Sequence, residues 1–271
     1  MGTLGTVPEF SGEEGKPEKP GLSPVFNEKR GLSPVLRVSV RRGNSTPGRY
    51  QTFEVPRRAS QTVLDVVTYI QRELDPTLAY RFACRVGMCG SCAMTVNGKA
   101  RWTCRTHVDK VADGDKLEIG PLANLPVIRD LVTDMREFFD KWARARGQFS
   151  ASRTRGDEFA RIEPESAERR EADAAIECIG CGVCYASCDV VTWNKDYLGP
   201  AALNRAWTLV NDPRDSAQKE RIRAVAHDAG CHACHTLMTC TELCPKNLSP
   251  TRSIAGLKRA SLRWLLAGDR E

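Results

Sequence analysis

From Pro34 onward, hydrophobic and polar positions alternate with the period of two expected of strands that bury one face. Leu36, Val38 and Val40 alternate with Arg37, Ser39 and Arg41. A turn region with Gly43, Pro47 and Gly48 follows, and the run YQTFEV at 50–55 completes a predicted hairpin. The period then lengthens: Val63, Val66, Val67, Ile70 and Leu74 share one face of a helix that Ser60 is placed to cap and Asp75-Pro76 to end. Strands return at 93–96, 101–107 and 116–119. Beyond them Ile128, Leu131, Met135, Phe138, Phe139 and Trp142 mark one face of a long amphipathic helix, expected to pack as core between two domains. Residues 143–163 are polar and basic and read as a linker or surface loop. Pro164 is expected to open a polar helix with Glu165 and Arg169 paired at i, i+4, and further helices are expected at about 200–211, 216–228 and 250–266. Ser249 is placed as N-cap of the last, with Pro250 at its first position.

The 271 residues suffice for two cores. Residues 1–33, rich in proline, glycine, glutamate and lysine, carry too little apolar content to offset their ordering entropy and read as a flexible extension. They lack the apolar segment of a signal peptide, and no stretch approaches the roughly 18 apolar residues that span a bilayer. The expected divisions are therefore 1–33, 34–125, 126–163 and 164–271. A net charge of +6, from 40 basic and 34 acidic residues without a run of like charge, describes a mixed solvated surface. A nucleic-acid-binding regulator is a competing class, but neither a recognition helix nor a basic stripe is present.

Twelve cysteines change the picture, because they fall in groups with metal spacing rather than scattered as disulfide partners. Cys84, Cys89 and Cys92 have the x4, x2 spacing of a plant-type [2Fe–2S] loop, with Cys104 after eleven intervening residues. Gly87 and Gly90 suit a loop whose backbone approaches a cluster and aims amides at its sulfurs. A structural zinc is the alternative, but zinc more often uses paired CxxC knuckles. Cys178, Cys181, Cys184 and Cys188 have the bacterial-ferredoxin spacing, in which the fourth cysteine serves the other cluster. Exchanging fourth ligands with the second run gives a [4Fe–4S] cluster on Cys178, Cys181, Cys184 and Cys244. Cys188, Cys234 and Cys240 remain, with Leu237 where the template wants a cysteine, and three thiolates with a blocked corner call for a [3Fe–4S] cluster. Cys231 is left over, either a spare buried thiol or a fourth ligand for a second [4Fe–4S] cluster. The fold class expected is α+β: an N-terminal β-grasp plant-type [2Fe–2S] ferredoxin domain, then an all-helical bacterial-ferredoxin-like domain.

The segments CRVGMCGSCAMTVNG at 84–98, CIGCGVCYASC at 178–188 and CHTLMTCTELCPKNLSPTRSI at 234–254 resemble the iron–sulfur subunit of succinate dehydrogenase and fumarate reductase. The resemblance runs from about Leu36 and includes VIRDLVTDM at 127–135 and GPAALNRAW at 199–207. It implies a relay from FAD in a flavoprotein subunit, through three clusters, to quinone at a membrane anchor that can also hold haem. It places the chain peripherally on the cytoplasmic face of the inner (plasma) membrane, held through anchor subunits with no transmembrane segment of its own. It also implies that Trp193 and His235 border the quinone, where a titrating histidine suits a reaction that consumes protons. Surface or core packing is the plain alternative for both. Asp189 departs from the family, which commonly has proline there; it caps the next turn or serves the quinone. With no GxGxxG after a strand, flavin and nicotinamide sites are expected elsewhere. The competing assignment is the iron–sulfur subunit of another flavoenzyme, or a freestanding electron carrier.

Overall fold

The computed structural model describes residues 33–44 and 47–267; the expectation for the first 32 residues lies outside them. Strands β1 (Val35–Arg42) and β2 (Arg49–Pro56) form the antiparallel hairpin, with Val38 opposite Phe53. Three more strands complete a mixed sheet, β3 (Ala93–Val96), β4 (Lys99–Trp102) and β5 (Lys116–Gly120), in the order β2-β1-β5-β3-β4. β5 runs parallel to β1 and antiparallel to β3. The strand expected over 101–107 ends at Trp102, because Thr103–Arg105 turns into a 3₁₀ segment that carries Cys104 inward.

Helix α1 (Val63–Tyr69) crosses the sheet and buries Val63, Val66 and Val67, and a π-helical turn over Ile70–Leu74 extends it. Leu74, expected on that face, is exposed. The cap is Thr62 rather than Ser60: Thr62 accepts from the Asp65 amide while Asp65 accepts from the Thr62 amide, a reciprocal capping box. Ser60 lies two residues upstream in the left-handed region, φ 57°. A short helix, α2 (Val108–Val111), precedes β5.

The single long helix expected over 128–142 is absent. In its place stand a small hairpin, β6 (Val127–Arg129) and β7 (Val132–Thr133), and a shorter helix α3 (Arg136–Arg144). The cause is Asp130, left-handed at φ 49° and 2 % exposed. Its carboxylate accepts from the Gly43 amide at 2.7 Å, the Ala79 amide at 2.9 Å and Arg42 Nε at 3.2 Å. A buried carboxylate with three donors outweighs helical periodicity at this point. Of the expected face Leu131 and Phe138 are buried, whereas Ile128 and Phe139 are exposed.

The second half is helical: α4 (Ala167–Ala172), α5 (Val183–Ala186), α6 (Asp189–Trp193), α7 (Pro200–Val210), α8 (Gln218–Val225), α9 (Thr239–Glu242) and α10 (Pro250–Ala267). α4 starts later than Pro164 because Ser166 caps it, and Arg169 pairs with Asp173 at 3.0 Å instead of with Glu165. Part of the expected linker is fastened. Arg221, 1 % exposed, donates to the Gln148 carbonyl and to both oxygens of Asp215, and Asp215 accepts from the Ser150 amide.

One core lies between the sheet and α1, lined by Leu36, Val38, Val67 and Ile119; the other lies among the helices. Leu122 and Leu125, from the connection after β5, pack into the second core beside Tyr185 and Val190, so the two halves adjoin. Among the described residues no helix is long and apolar enough to cross a membrane.

Candidate iron–sulfur centres

The loop 84–92 folds around its own first sulfur. The Met88 and Cys89 amides donate to Cys84 Sγ at 3.2 and 3.3 Å, the Cys84 amide reaches Cys89 Sγ at 3.5 Å, and the Gly87 amide points to the Cys104 sulfur. Gly87 and Gly90 have φ of +74° and +70°, a conformation that costs an L side chain energy. A Cβ on Gly87 would stand 2.5 Å from the Trp102 ring. Desolvation pulls the Cys89 thiol upward, but amides and the Ser91 hydroxyl overcome it and bring the thiol down to about 6. Burial, with Cys92 beside it, pushes Cys104 up to about 11. An exposed, ionisable end and a buried end are what a loop cluster near a surface requires.

Cys178, Cys181, Cys184 and Cys244 line one cavity together with Pro245 and Asn204. Gly180 and Gly182 take left-handed φ, and the amides of Gly180 and Val183 donate to the sulfurs of Cys178 and Cys181. Burial pushes Cys181 up to about 12 and Cys184 well above its ordinary value, so these thiols lose their protons only against a compensating cation.

Cys188, Cys234 and Cys240 form a third group with Tyr197, whose hydroxyl bonds to Cys234. The Val190 and Val191 amides serve Cys188, and the Thr251 hydroxyl lies 3.3 Å from Cys240 Sγ. Among the described residues no three or more His, Cys, Asp or Glu side chains close around a single ion. The thiols form wider sets, and amide-lined sulfurs with glycines at the close approaches fit multi-iron clusters.

Cys231 is wholly buried, its thiol bonded to Ser261 on α10, with Cys234 in range. Leu237 is 44 % exposed at the rim of the third group. Trp193, 68 % exposed, and His235 stand edge to face with centroids 6.4 Å apart, so residues 42 positions apart in sequence meet beside that group. Asp189 is exposed in the first turn of α6 and makes no side-chain cap bond, a position that helix polarity favours for an acid.

Two contacts order the groups. A Cβ on Gly90 would stand 2.8 Å from Cys181 Cα and 2.9 Å from the Ile179 carbonyl oxygen, so the first loop touches the second by backbone. Cys184 in turn lies within electrostatic range of Cys240. Neither contact was legible from spacing, and nor was Asn124, whose side-chain amide reaches the Tyr185, Ala186 and Cys188 carbonyls at 3.3–3.4 Å.

Comparison with known proteins shows the family. The model of a 2Fe–2S iron–sulfur cluster binding domain matches residues 35–140, and that of a 4Fe–4S dicluster domain matches residues 174–248. The succinate dehydrogenase iron–sulfur subunit of Paracoccus denitrificans is 36 % identical over 239 residues, covering 86 % of this chain and 91 % of its own. The chain belongs to the family of succinate dehydrogenase and fumarate reductase iron–sulfur subunits. The fumarate reductase iron–sulfur subunit of Escherichia coli O6:H1 is 34 % identical, with 86 % of this chain and 96 % of its own covered. A chain of the Mycobacterium smegmatis Sdh1 complex in the apo form superposes with a TM-score of 0.77 at 26 % identity, covering 88 % of this chain and 99 % of that one. Binding domains for 2Fe–2S and 4Fe–4S clusters thus stand in the family's order.

Proposed function

We propose that the chain is the electron-carrying subunit of a succinate:quinone oxidoreductase, taking electrons from a FAD-containing flavoprotein subunit and delivering them to quinone at a membrane anchor. The serial contact of three thiol groups, Gly90 against Cys181 and Cys184 toward Cys240, is the observation that carries this reading. In it Cys84, Cys89, Cys92 and Cys104 hold a [2Fe–2S] cluster. Cys178, Cys181, Cys184 and Cys244 hold a [4Fe–4S] cluster, and Cys188, Cys234 and Cys240 a [3Fe–4S] cluster, with Cys231 a spare thiol. Bound clusters supply one-electron redox chemistry and no bond-making. The chain's own residues donate amides to the sulfurs, exclude water by burial and fix the spacing.

The Trp193 and His235 pair is assigned to the quinone border: both rings face outward beside the third group, and an imidazole is a proton carrier. The sheet half is read as a β-grasp domain of plant-ferredoxin type over 34–125 and the helical half as a bacterial-ferredoxin-like domain over 164–271. The chain sits at the cytoplasmic face of the membrane through its anchor partners. Fumarate reduction runs the same relay in reverse, and relatives of both names support either direction.

Electron paramagnetic resonance of the oxidised protein is the test. A single near-isotropic signal, with succinate-dependent quinone reduction in the complex with its flavoprotein, is expected. A silent spectrum at full iron content would overturn the three-thiolate assignment and make Cys231 a ligand.

A further inference from the structure

α10 has an apolar face wider than the core covers. Ile254, Leu257 and Ser261 are 1 % exposed and face the interior, where Gly256 lets the helix approach the Trp207 ring on α7. On an arc that begins beside this buried line and turns away from it, Leu262, Leu265 and Leu266 are 56, 56 and 79 % exposed. At the helical period they occupy an arc of about 100°. Arg259 and Arg263, both exposed and one turn apart, flank that arc on the side away from the core, whereas Trp264 lies across the buried line with the Arg223 guanidinium of α8 5.7 Å from its ring centroid. Residues 250–267 contain Arg252, Lys258, Arg259 and Arg263 and no acid.

This stripe continues the surface around the third thiol group. The loop 231–235 rests on α10 through His232 Nε2 to Ser261 Oγ at 3.0 Å and Lys258 Nζ to the Cys234 carbonyl at 2.7 Å. The leucines begin one residue past Ser261. Leu237 and Met238, 44 and 46 % exposed, belong to the same loop as His235. Leucines projecting outward with arginines on one flank are the composition of a helix lying in the plane of a membrane interface. A protein groove would accept the leucines but has no need of an acid-free helix; anionic headgroups do.

We propose that the Leu262, Leu265 and Leu266 face of α10 rests on an anionic lipid surface, with Arg259 and Arg263 at the phosphates. The proposal rests on the reading that the third thiol group faces the membrane, and adds that lipid, beside any anchor protein, is part of what it faces.

The test is co-sedimentation of the full, cluster-loaded chain with vesicles of phosphatidylcholine alone or mixed with phosphatidylglycerol. Binding several-fold stronger to the mixed vesicles is expected, weakening as salt rises. It should fall at least tenfold in Leu262→Gln/Leu265→Gln/Leu266→Gln and several-fold in Arg259→Gln/Arg263→Gln, with the paramagnetic signal of the oxidised protein unchanged as the check on folding. Failure of the native chain to bind the mixed vesicles, or undiminished binding by the leucine variant, overturns the proposal. A leucine variant that keeps vesicle binding but no longer co-purifies with the anchor would also overturn it and make the occupant a protein. Lipid binding as expected from a chain without the near-isotropic signal would instead sink the three-thiolate assignment and leave the lipid surface standing.

Discussion

Gly90 and Cys181 meet backbone to backbone, at a separation that leaves no room for even one methyl group on Gly90. Gly90→Ala forces a left-handed φ on an L residue and a 2.8 Å contact with Cys181, which costs about 1–3 kcal/mol and pushes the two loops apart. The expected result is a lowered unfolding midpoint and slower filling of the second and third clusters after the first is reduced, read by rapid-freeze paramagnetic resonance. Unchanged kinetics would show that electrons do not pass through this contact.

The cap of α1 separates a serine and a threonine, Ser60 and Thr62, both of residue types that cap helices. Thr62→Ala should cost about 1 kcal/mol because it breaks a reciprocal capping box. Ser60→Ala, which removes no cap bond, should leave stability nearly unchanged, and Ser60→Gly should relieve the φ of 57°. Urea midpoints of the three variants decide it.

Arg221 and Asp215 form an ion pair 1 and 0 % exposed, with Nη2 to Oδ2 at 2.6 Å. Arg221→Met leaves a buried carboxylate without its cation and frees the Gln148 carbonyl, at a cost of about 3–5 kcal/mol. Limited proteolysis should then cut near residues 148–152 faster than in the native chain; equal rates would mean the loop is held by something else.

Tyr185 donates to Glu137 at 3.1 Å and accepts from the buried Lys141 ammonium at 2.8 Å. Burial, then the Glu137 carboxylate, raise its ionisation well above the ordinary phenol range. The folded state keeps a proton that the unfolded chain releases above about pH 10, so this tyrosine's contribution is whole below pH 10 and is lost as pH climbs beyond it. Tyr185→Phe should flatten part of the alkaline loss of stability, while costing about 1–3 kcal/mol near neutrality because Lys141 loses an acceptor. An alkaline profile as steep as the native one would refute the assignment.

The hairpin of β1 and β2, the hydrophobic face of α1 and the grouping of the cysteines were legible because each rests on local periodicity or on spacing along the chain. The break at Asp130 was not, because its three donors, Arg42, Gly43 and Ala79, come from two segments far away in sequence. Arg221 hid for the same reason: a basic residue in a polar helix gives no sign that it will be buried. Trp193 and His235 could be marked one by one, but their ring contact depends on how α6 and the loop after Cys234 pack.

The grip of Asn124 on the turn between Tyr185 and Cys188 gives the chain an order of construction. Asn124 belongs to the segment that follows the sheet, is made first and can fold first, since domains generally form as units from the N-terminus during synthesis. The turn bearing Cys188 therefore closes on a template already standing. Within the helical half the Thr239 hydroxyl donates to the Ser187 carbonyl at 2.9 Å in the same turn, so the iron is loaded into a shape that both halves finish together.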